Sequence, residues 1–128
     1  MTGKTFSREI TSPIDLLQNG QTPASNHLQH RTIALTEQQI VDLTKTCETI
    51  TAPIETALAS RDWWPLSMHW AIAGEVPARA AAIVRPTSTE QVSHVLAYCN
   101  QQRIPVTAAG GRSGVCGASI PLYGGVIL

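Results

Sequence analysis

The sequence predicts an α/β fold, and this prediction rests mainly on the pattern of its C-terminal half. Residues 81–84 form a short continuous apolar run, which is typical of a buried strand. A helical period follows over residues 88–102, and residues 106–108 are a second candidate strand. A strand, a helix and a strand joined by short connections make a βαβ unit, so we expect the two strands to be parallel with a right-handed crossover. The 128 residues, 43% of them hydrophobic, suffice for one domain.

The N-terminal part divides into a loose arm, residues 1–35, and a helical segment, residues 36–78. The arm is rich in polar residues and proline and shows no sustained period. Thr36 and Gln39 have the spacing of a capping box, which predicts a helix start. Pro53 is expected to kink or split this helix near Ala52. The apolar residues that follow the cap are spaced three and four apart, as on one helix face: Ile40, Leu43, Cys47, Ile50 and Ile54.

The three tryptophans of the chain lie close together in this helical segment. Pro65 is expected to open a short helix at its first turn, and Gly74 to close it. We interpret Trp63, Trp64 and Trp70 as a docking surface between segments, with stacking on a ligand as the alternative.

Residues 79–128 hold the βαβ unit. Pro86 ends the first strand, and Ser88 with Gln91 has capping-box spacing at the start of the helix. Pro105 stops the helix, since proline disfavours helical geometry in the residue before it. Residues 125–128 read as a third strand at its beginning. The apolar face of the helix consists of Val92, Val95, Leu96 and Cys99.

Composition and charge exclude several function classes. Nine basic and nine acidic residues give a net charge of zero, so overall charge supports neither nucleic-acid nor membrane-surface binding. No apolar run of spanning length or secretory signal is found, and an odd number of cysteines without framework spacing predicts reduced thiols and a cytoplasmic protein. We expect no metal site, because the nearby pair His27 and His30 lacks further ligands and no carboxylate follows Glu90.

A glycine-rich loop, residues 108–117, follows the second predicted strand. Ligands gather at the carboxyl ends of parallel strands, and successive exposed N–H groups form a nest for an anion such as a phosphate or diphosphate. The loop is not a P-loop, since no lysine follows Lys45, and no helical period follows it, as a Rossmann loop would require. Taken alone, the loop is as consistent with an ordinary structural turn as with a ligand-binding loop.

The order of the pieces resembles a known family. Residues 83–92, 100–106 and 110–114 together resemble the start of the FAD-binding domain in the vanillyl-alcohol oxidase and p-cresol methylhydroxylase (PCMH) family. Within it, residues 61–65 and 111–119 look most similar to bacterial FAD-linked oxidases, which are related to glycolate oxidase flavin subunits, D-lactate dehydrogenases and alkyldihydroxyacetonephosphate synthases.

The resemblance implies that the loop holds the diphosphate of FAD, largely through backbone N–H groups. Arg112 stands where the family often has a third glycine and where some members carry a histidine linked to the flavin, so the resemblance implies non-covalent FAD. It identifies no catalytic residue in this chain. The implied cofactor-binding residues are Ala108, Ala109, Gly110, Gly111, Arg112, Ser113, Gly114 and Gly117.

The resemblance also implies that the chain is an N-terminal fragment of the flavin domain, inactive alone, from a flavoprotein that oxidises a small-molecule 2-hydroxy acid or related CH–OH substrate. An enzyme like alkyldihydroxyacetonephosphate synthase is one alternative. A stand-alone, non-enzymatic α/β module that binds a phosphorylated ligand or a partner protein is another.

Overall fold

The computed structural model describes residues 32–128, which form four helices and a four-stranded mixed sheet. The expectations for the arm up to residue 31, including the pair His27 and His30, lie outside the described residues. In chain order the elements are α1 (Glu37–Thr46), β1 (Glu48–Ile50), α2 (Pro53–Ala59), α3 (Pro65–Ile72), β2 (Ala82–Arg85), α4 (Thr89–Gln102), β3 (Val106–Thr107) and β4 (Val126–Ile127).

The strands lie in the order β1-β2-β4-β3, with β4 parallel to both β2 and β3. The strands β2 and β3 are therefore parallel to each other, as the βαβ pattern predicts, but they are not neighbours. β4 comes from the third predicted strand and fills the central position between them. The carboxyl ends of these three strands consequently lie at one edge of the sheet.

The predicted helical face is present in α1, and the split expected near Ala52 leaves a second helix, α2, but the prediction is wrong for residues 47–52. Glu48–Ile50 instead form β1, which pairs antiparallel with β2. The three residues include two β-branched ones, and pairing satisfies backbone groups of β2 that a helix would leave without partners. Pro53 therefore does not kink a helix but occupies the first turn of α2, where its missing N–H costs nothing.

Most of the predictions for the helix ends agree with the structure. Thr36 and Gln39 form the full capping box at α1. At α4 only half of the predicted box forms: Ser88 accepts the N–H of Gln91, whereas the Gln91 side chain accepts from the N–H of Thr87 at 2.7 Å. Gly74 closes α3 at φ +78°, where the N–H of Glu75 reaches the carbonyl of Trp70 as in a Schellman motif.

The core lies between the sheet and the helices α1 and α4. A bond of 3.2 Å from the Tyr98 hydroxyl to Asp42 joins these two helices at the rim. No helix of residues 32–128 is long and apolar enough to cross a bilayer. The buried side chains of the central cluster are Leu43, Cys47, Ala82, Val84, Val95, Cys99, Ile104 and Val126.

Candidate functional site

The glycine-rich loop leaves the sheet at the carboxyl end of β3. The N–H of Ala109 donates to the carbonyl of Leu128 at 2.8 Å, which fixes the start of the loop against the end of β4. The amide of Ala109 is thus already used, and the part of the loop that can meet a ligand begins at Gly110.

Residues 110–114 present unused backbone donors. Within residues 32–128, none of their N–H groups donates to a protein acceptor, although the carbonyl of Gly114 accepts a bond. Gly110, Gly111, Ser113 and Gly114 are exposed, and Ser113 adds a hydroxyl. This run of free N–H groups can bind an anion without a lysine.

Gly110 and Gly111 have no structural reason to be glycine. A Cβ atom built at either position meets nothing within 4 Å, and neither residue has a positive φ. Gly117 differs, because a Cβ there would lie 3.0 Å from the indole of Trp64. The structure therefore leaves open space at the front of the loop and packs its end against protein.

Arg112 adopts a conformation that favours glycine. Its φ is +52°, in the left-handed region, which costs a residue with a Cβ about 1–2 kcal/mol. The guanidinium Nη1 donates to the carbonyl of Leu58 at 2.5 Å and so ties the loop to the end of α2. This bond offsets part of the backbone cost, and it holds the positive charge at the end of α2.

A short platform, Asp62-Trp63-Trp64, supports the loop from below. The N–H of Trp63 donates to the carbonyl of Gly114 at 3.0 Å, and the ring of Trp64 covers Gly117. Asp62 Oδ1 accepts the N–H of Trp64 at 3.0 Å and fixes the turn of the platform. From the sequence, the neighbours Arg61 and Asp62 suggest a local ion pair or a helix cap. The two ion pairs of the described residues do not include Asp62, and α3 has no side-chain cap, so the bond to Trp64 is a local turn contact.

The tryptophans have two different environments. The rings of Trp64 and Trp70 meet edge to face within the α3 segment, with centroids 5.7 Å apart, and the Trp64 ring also packs against Gly117 of the loop. The Trp63 side chain is 61% exposed, so it is not part of that packing.

A groove of about 480 Å³ runs between the loop and the helices α2 and α3. Its wall is apolar apart from two arginines and one buried carboxyl group, that of Asp62. Residues that line it are Leu58, Arg61, Asp62, Trp63, Met68, Ala71, Ile72, Gly111 and Arg112. An anionic ligand with an apolar part would find both kinds of partner here.

The ionisable side chains set limits on the chemistry. Burial raises the pKa of the Cys47 and Cys99 thiols, which lie in the core away from the loop. Cys116 is exposed within the loop, so it is not a buried packing side chain. Residues 32–128 contain no group of three or more His, Cys, Asp or Glu side chains that could hold a metal ion.

Comparisons with known proteins identify the segment that carries the loop. Residues 80–128 match the sequence model of the FAD binding domain family. The chain is 43% identical over 51 residues to a D-lactate dehydrogenase of Anaerostipes hadrus, a match that covers 40% of this chain and 11% of that protein. It is 37% identical over 62 residues to a probable mitochondrial D-2-hydroxyglutarate dehydrogenase of Oryza sativa subsp. indica, covering 48% and 11%.

Two further matches extend the picture. The glycolate oxidase subunit GlcD of Bacillus subtilis is 32% identical over 47 residues, which cover 37% of this chain and 10% of that protein. A solved alkyldihydroxyacetonephosphate synthase superposes with a TM-score of 0.67 at 15% identity, over 75% of this chain and 19% of that one, and so supports the fold alone. The chain spans about a tenth of the length of these curated relatives.

The geometry of the loop fits the cofactor of this family. The free N–H groups of residues 110–114 and the open space at Gly110 and Gly111 suit a diphosphate. The buried oxygen Asp62 Oδ2, which has no hydrogen-bond partner, lies near Gly114 but cannot itself bind that anion. Residues 80–128, which include the loop, are similar in sequence to the FAD binding domain family.

Proposed function

We propose that this chain supplies the diphosphate-binding part of an FAD-dependent oxidoreductase, and that residues 110–114 bind the FAD diphosphate through their backbone N–H groups. The observation that carries the proposal is the pair Gly110 and Gly111. Their surroundings would accept a side chain, yet both are glycine and both lie among unused amides. A ligand that must approach the backbone closely explains this combination.

The charges around the loop favour an anion. Arg61 and Arg112 line the adjacent groove, and the chain has no carboxylate after Glu90. Asp62 is the one acidic side chain of the groove wall, and it is buried. Two guanidinium groups in the groove wall supply positive charge for a diphosphate.

We further propose that the whole protein oxidises a 2-hydroxy acid or a related CH–OH substrate, a small molecule. Lactate, 2-hydroxyglutarate and glycolate, which appear in the names of three relatives, are all 2-hydroxy acids. When bound, FAD accepts the hydride in such oxidations. The residues of this chain bind and orient the cofactor, and the chain by itself is expected to be inactive.

The cofactor is proposed to be bound non-covalently at this loop. Arg112 has no nucleophilic nitrogen for a flavin linkage, and its guanidinium is directed to the carbonyl of Leu58. Acid precipitation of flavin-loaded protein should leave the yellow chromophore in the supernatant, whereas chromophore retained in the pellet would contradict this part of the proposal. The cytoplasmic location stays a prediction, because the relatives include a mitochondrial enzyme.

The binding claim is tested by Gly111→Val. Because a Cβ at Gly111 meets no protein atom, the variant should fold like the parent, while its side chain occupies the space of the ligand. We expect the Kd for FAD, measured by calorimetric titration of the 128-residue chain, to rise at least about tenfold, which corresponds to ~1.4 kcal/mol.

The control is Ala97→Val on the exposed side of α4, which creates the same valine side chain far from the loop, with two added carbons instead of three. Circular dichroism and the denaturation midpoint should agree among the parent and both variants. An unchanged Kd in Gly111→Val would mean that the diphosphate lies elsewhere. A parent chain that folds and binds neither FAD nor pyrophosphate would contradict the proposed function of the loop.

A further inference from the structure

Asp62 carries a buried oxygen whose role the fold does not explain. The residue is 7% exposed, and its Oδ1 is used by the N–H of Trp64. Its Oδ2 is closed off from solvent and accepts no hydrogen bond, the one such side-chain atom found in residues 32–128. A buried carboxylate oxygen without a donor loses its hydration and gains nothing in return, so a native structure that keeps one calls for an explanation.

The orphan oxygen lies directly beneath the glycine loop. A Cβ atom built at Gly114 would be 3.8 Å from Asp62 Oδ2, and no other protein atom would come within 4 Å of it. The adjacent N–H of Trp63 holds the carbonyl of Gly114, so the loop and the carboxyl group have a fixed relation. Asp62 is also part of the groove wall, together with Arg61 and Arg112.

The chemistry of the orphan oxygen selects its partner. An ionised carboxylate only accepts hydrogen bonds, and a diphosphate at neutral pH is an anion without a donor to offer. The two groups therefore cannot bond to each other. In a nucleotide, the donors nearest to the diphosphate are the hydroxyl groups of the flanking sugar or sugar alcohol, and carboxylates bind ribose hydroxyls in other nucleotide sites.

We propose that Asp62 Oδ2 accepts a hydrogen bond from a hydroxyl group of the ribose or ribitol that flanks the diphosphate on the glycine loop. The proposal rests on the proposed function, since it requires the diphosphate at residues 110–114. Asp62 is then a binding residue for the polyol part of the cofactor, on a platform that also holds the loop.

The test compares ligands on the Asp62→Asn variant of the 128-residue chain. The amide keeps the size of the side chain and an oxygen for the N–H of Trp64, but it removes the charge and the second acceptor. Affinity for FAD should fall about tenfold, the loss expected for one charge-assisted hydrogen bond, while affinity for inorganic pyrophosphate stays equal or rises because a negative charge is gone. A purely structural role would weaken both ligands together.

Adenosine diphosphate separates the two sugars. A loss for adenosine diphosphate as well as for FAD assigns the ribose, and a loss for FAD alone assigns the ribitol. Asp42→Asn is the control, because it makes the same substitution on α1, at the contact with Tyr98. It should change none of the three affinities.

A second measurement needs no variant. In the parent chain labelled with ¹³C at aspartate side chains, the carboxyl resonance of Asp62 should shift on addition of FAD and much less on addition of pyrophosphate. Equal loss of FAD and pyrophosphate binding in Asp62→Asn, or an Asp62 resonance that does not respond to FAD, would overturn the inference. If the parent binds neither ligand, the proposed function fails first and this inference with it.

Discussion

Glycine has different roles at the entry to the sheet core and in the glycine-rich loop. At Gly124 and Gly125, on the way into β4, a Cβ would come within 3.0 Å of backbone atoms, and both residues have positive φ. At Gly110 and Gly111 neither condition holds. Glycine is thus required by the fold in the first pair and left unexplained by it in the second. The difference teaches where to look for a ligand: beside glycines that the protein itself does not need.

The sharpest test of this comparison is Gly125→Ala against Gly111→Ala. A methyl group at Gly125 would overlap the carbonyl group of Pro105, whose position is fixed by the pairing of β3 with β4, and φ is +66°. Strain and overlap together should cost at least ~3 kcal/mol and remove the cooperative unfolding transition. Gly111→Ala should change the free energy of unfolding by less than about 0.5 kcal/mol.

Urea denaturation followed by circular dichroism measures both variants. If Gly111→Ala destabilises the chain as much as Gly125→Ala does, the fold does need glycine at position 111, and the main support for the ligand site is lost.

The cysteines provide a second contrast between core and loop. Cys116 is exposed, whereas burial raises the pKa of Cys47 and Cys99 and shields their sulfur atoms. Because the thiolate is the reactive form, iodoacetamide near pH 8 should alkylate Cys116 at least about tenfold faster than the other two. Mass spectrometry of timed samples reads the three sites separately, and in denaturant their rates should converge. Native rates that are alike would mean that the core opens as readily as the loop.

The smallest expected effect lies at the rim of the core. The Lys45 ammonium, hydrogen-bonded to Asp42, lowers the pKa of that carboxyl below its usual 3.8, with help from Gln38 and the Tyr98 hydroxyl. Since the folded pKa is depressed, this contribution to stability is present above pH 3.8 and is lost as the pH falls through the lowered value.

Tyr98→Phe removes the part of this contribution that links α1 to α4. The variant should unfold at slightly lower urea concentration than the parent at about pH 6, and the gap should narrow as the pH falls below 3.8 and the Asp42 carboxylate becomes protonated. A gap that widens on acidification would contradict a depressed pKa for the Asp42 carboxyl in the folded chain.

The sequence predicted those parts of the molecule whose signals are local. The cap at Thr36, the strand at Ala82–Arg85 and the helix at Thr89–Gln102 are set by neighbouring residues and formed nearly where expected. The glycine loop was recognised for the same reason, because its residues are consecutive.

Features that depend on distant partners could not be predicted in this way. The residues of β1 fit a helical period in the sequence. They form a strand in the structure because they pair with the edge of β2. The position of β4 between β2 and β3 is set by packing and not by chain order. The sequence did not mark Asp62 as a binding residue, because the loop that it contacts lies some fifty residues further along the chain. The bond between Arg112 and Leu58 could not be predicted for the same reason, since it spans 54 residues.

The most direct test of the diphosphate site is a titration of the ¹⁵N-labelled 128-residue chain with FAD, followed by amide chemical shifts. If the loop binds the diphosphate, the largest shifts should occur at Gly110, Gly111, Ser113 and Gly114, with small changes at core amides such as those of Val95 and Val126. Shifts concentrated on another surface, with these four amides unchanged at saturation, would contradict a diphosphate site at the loop.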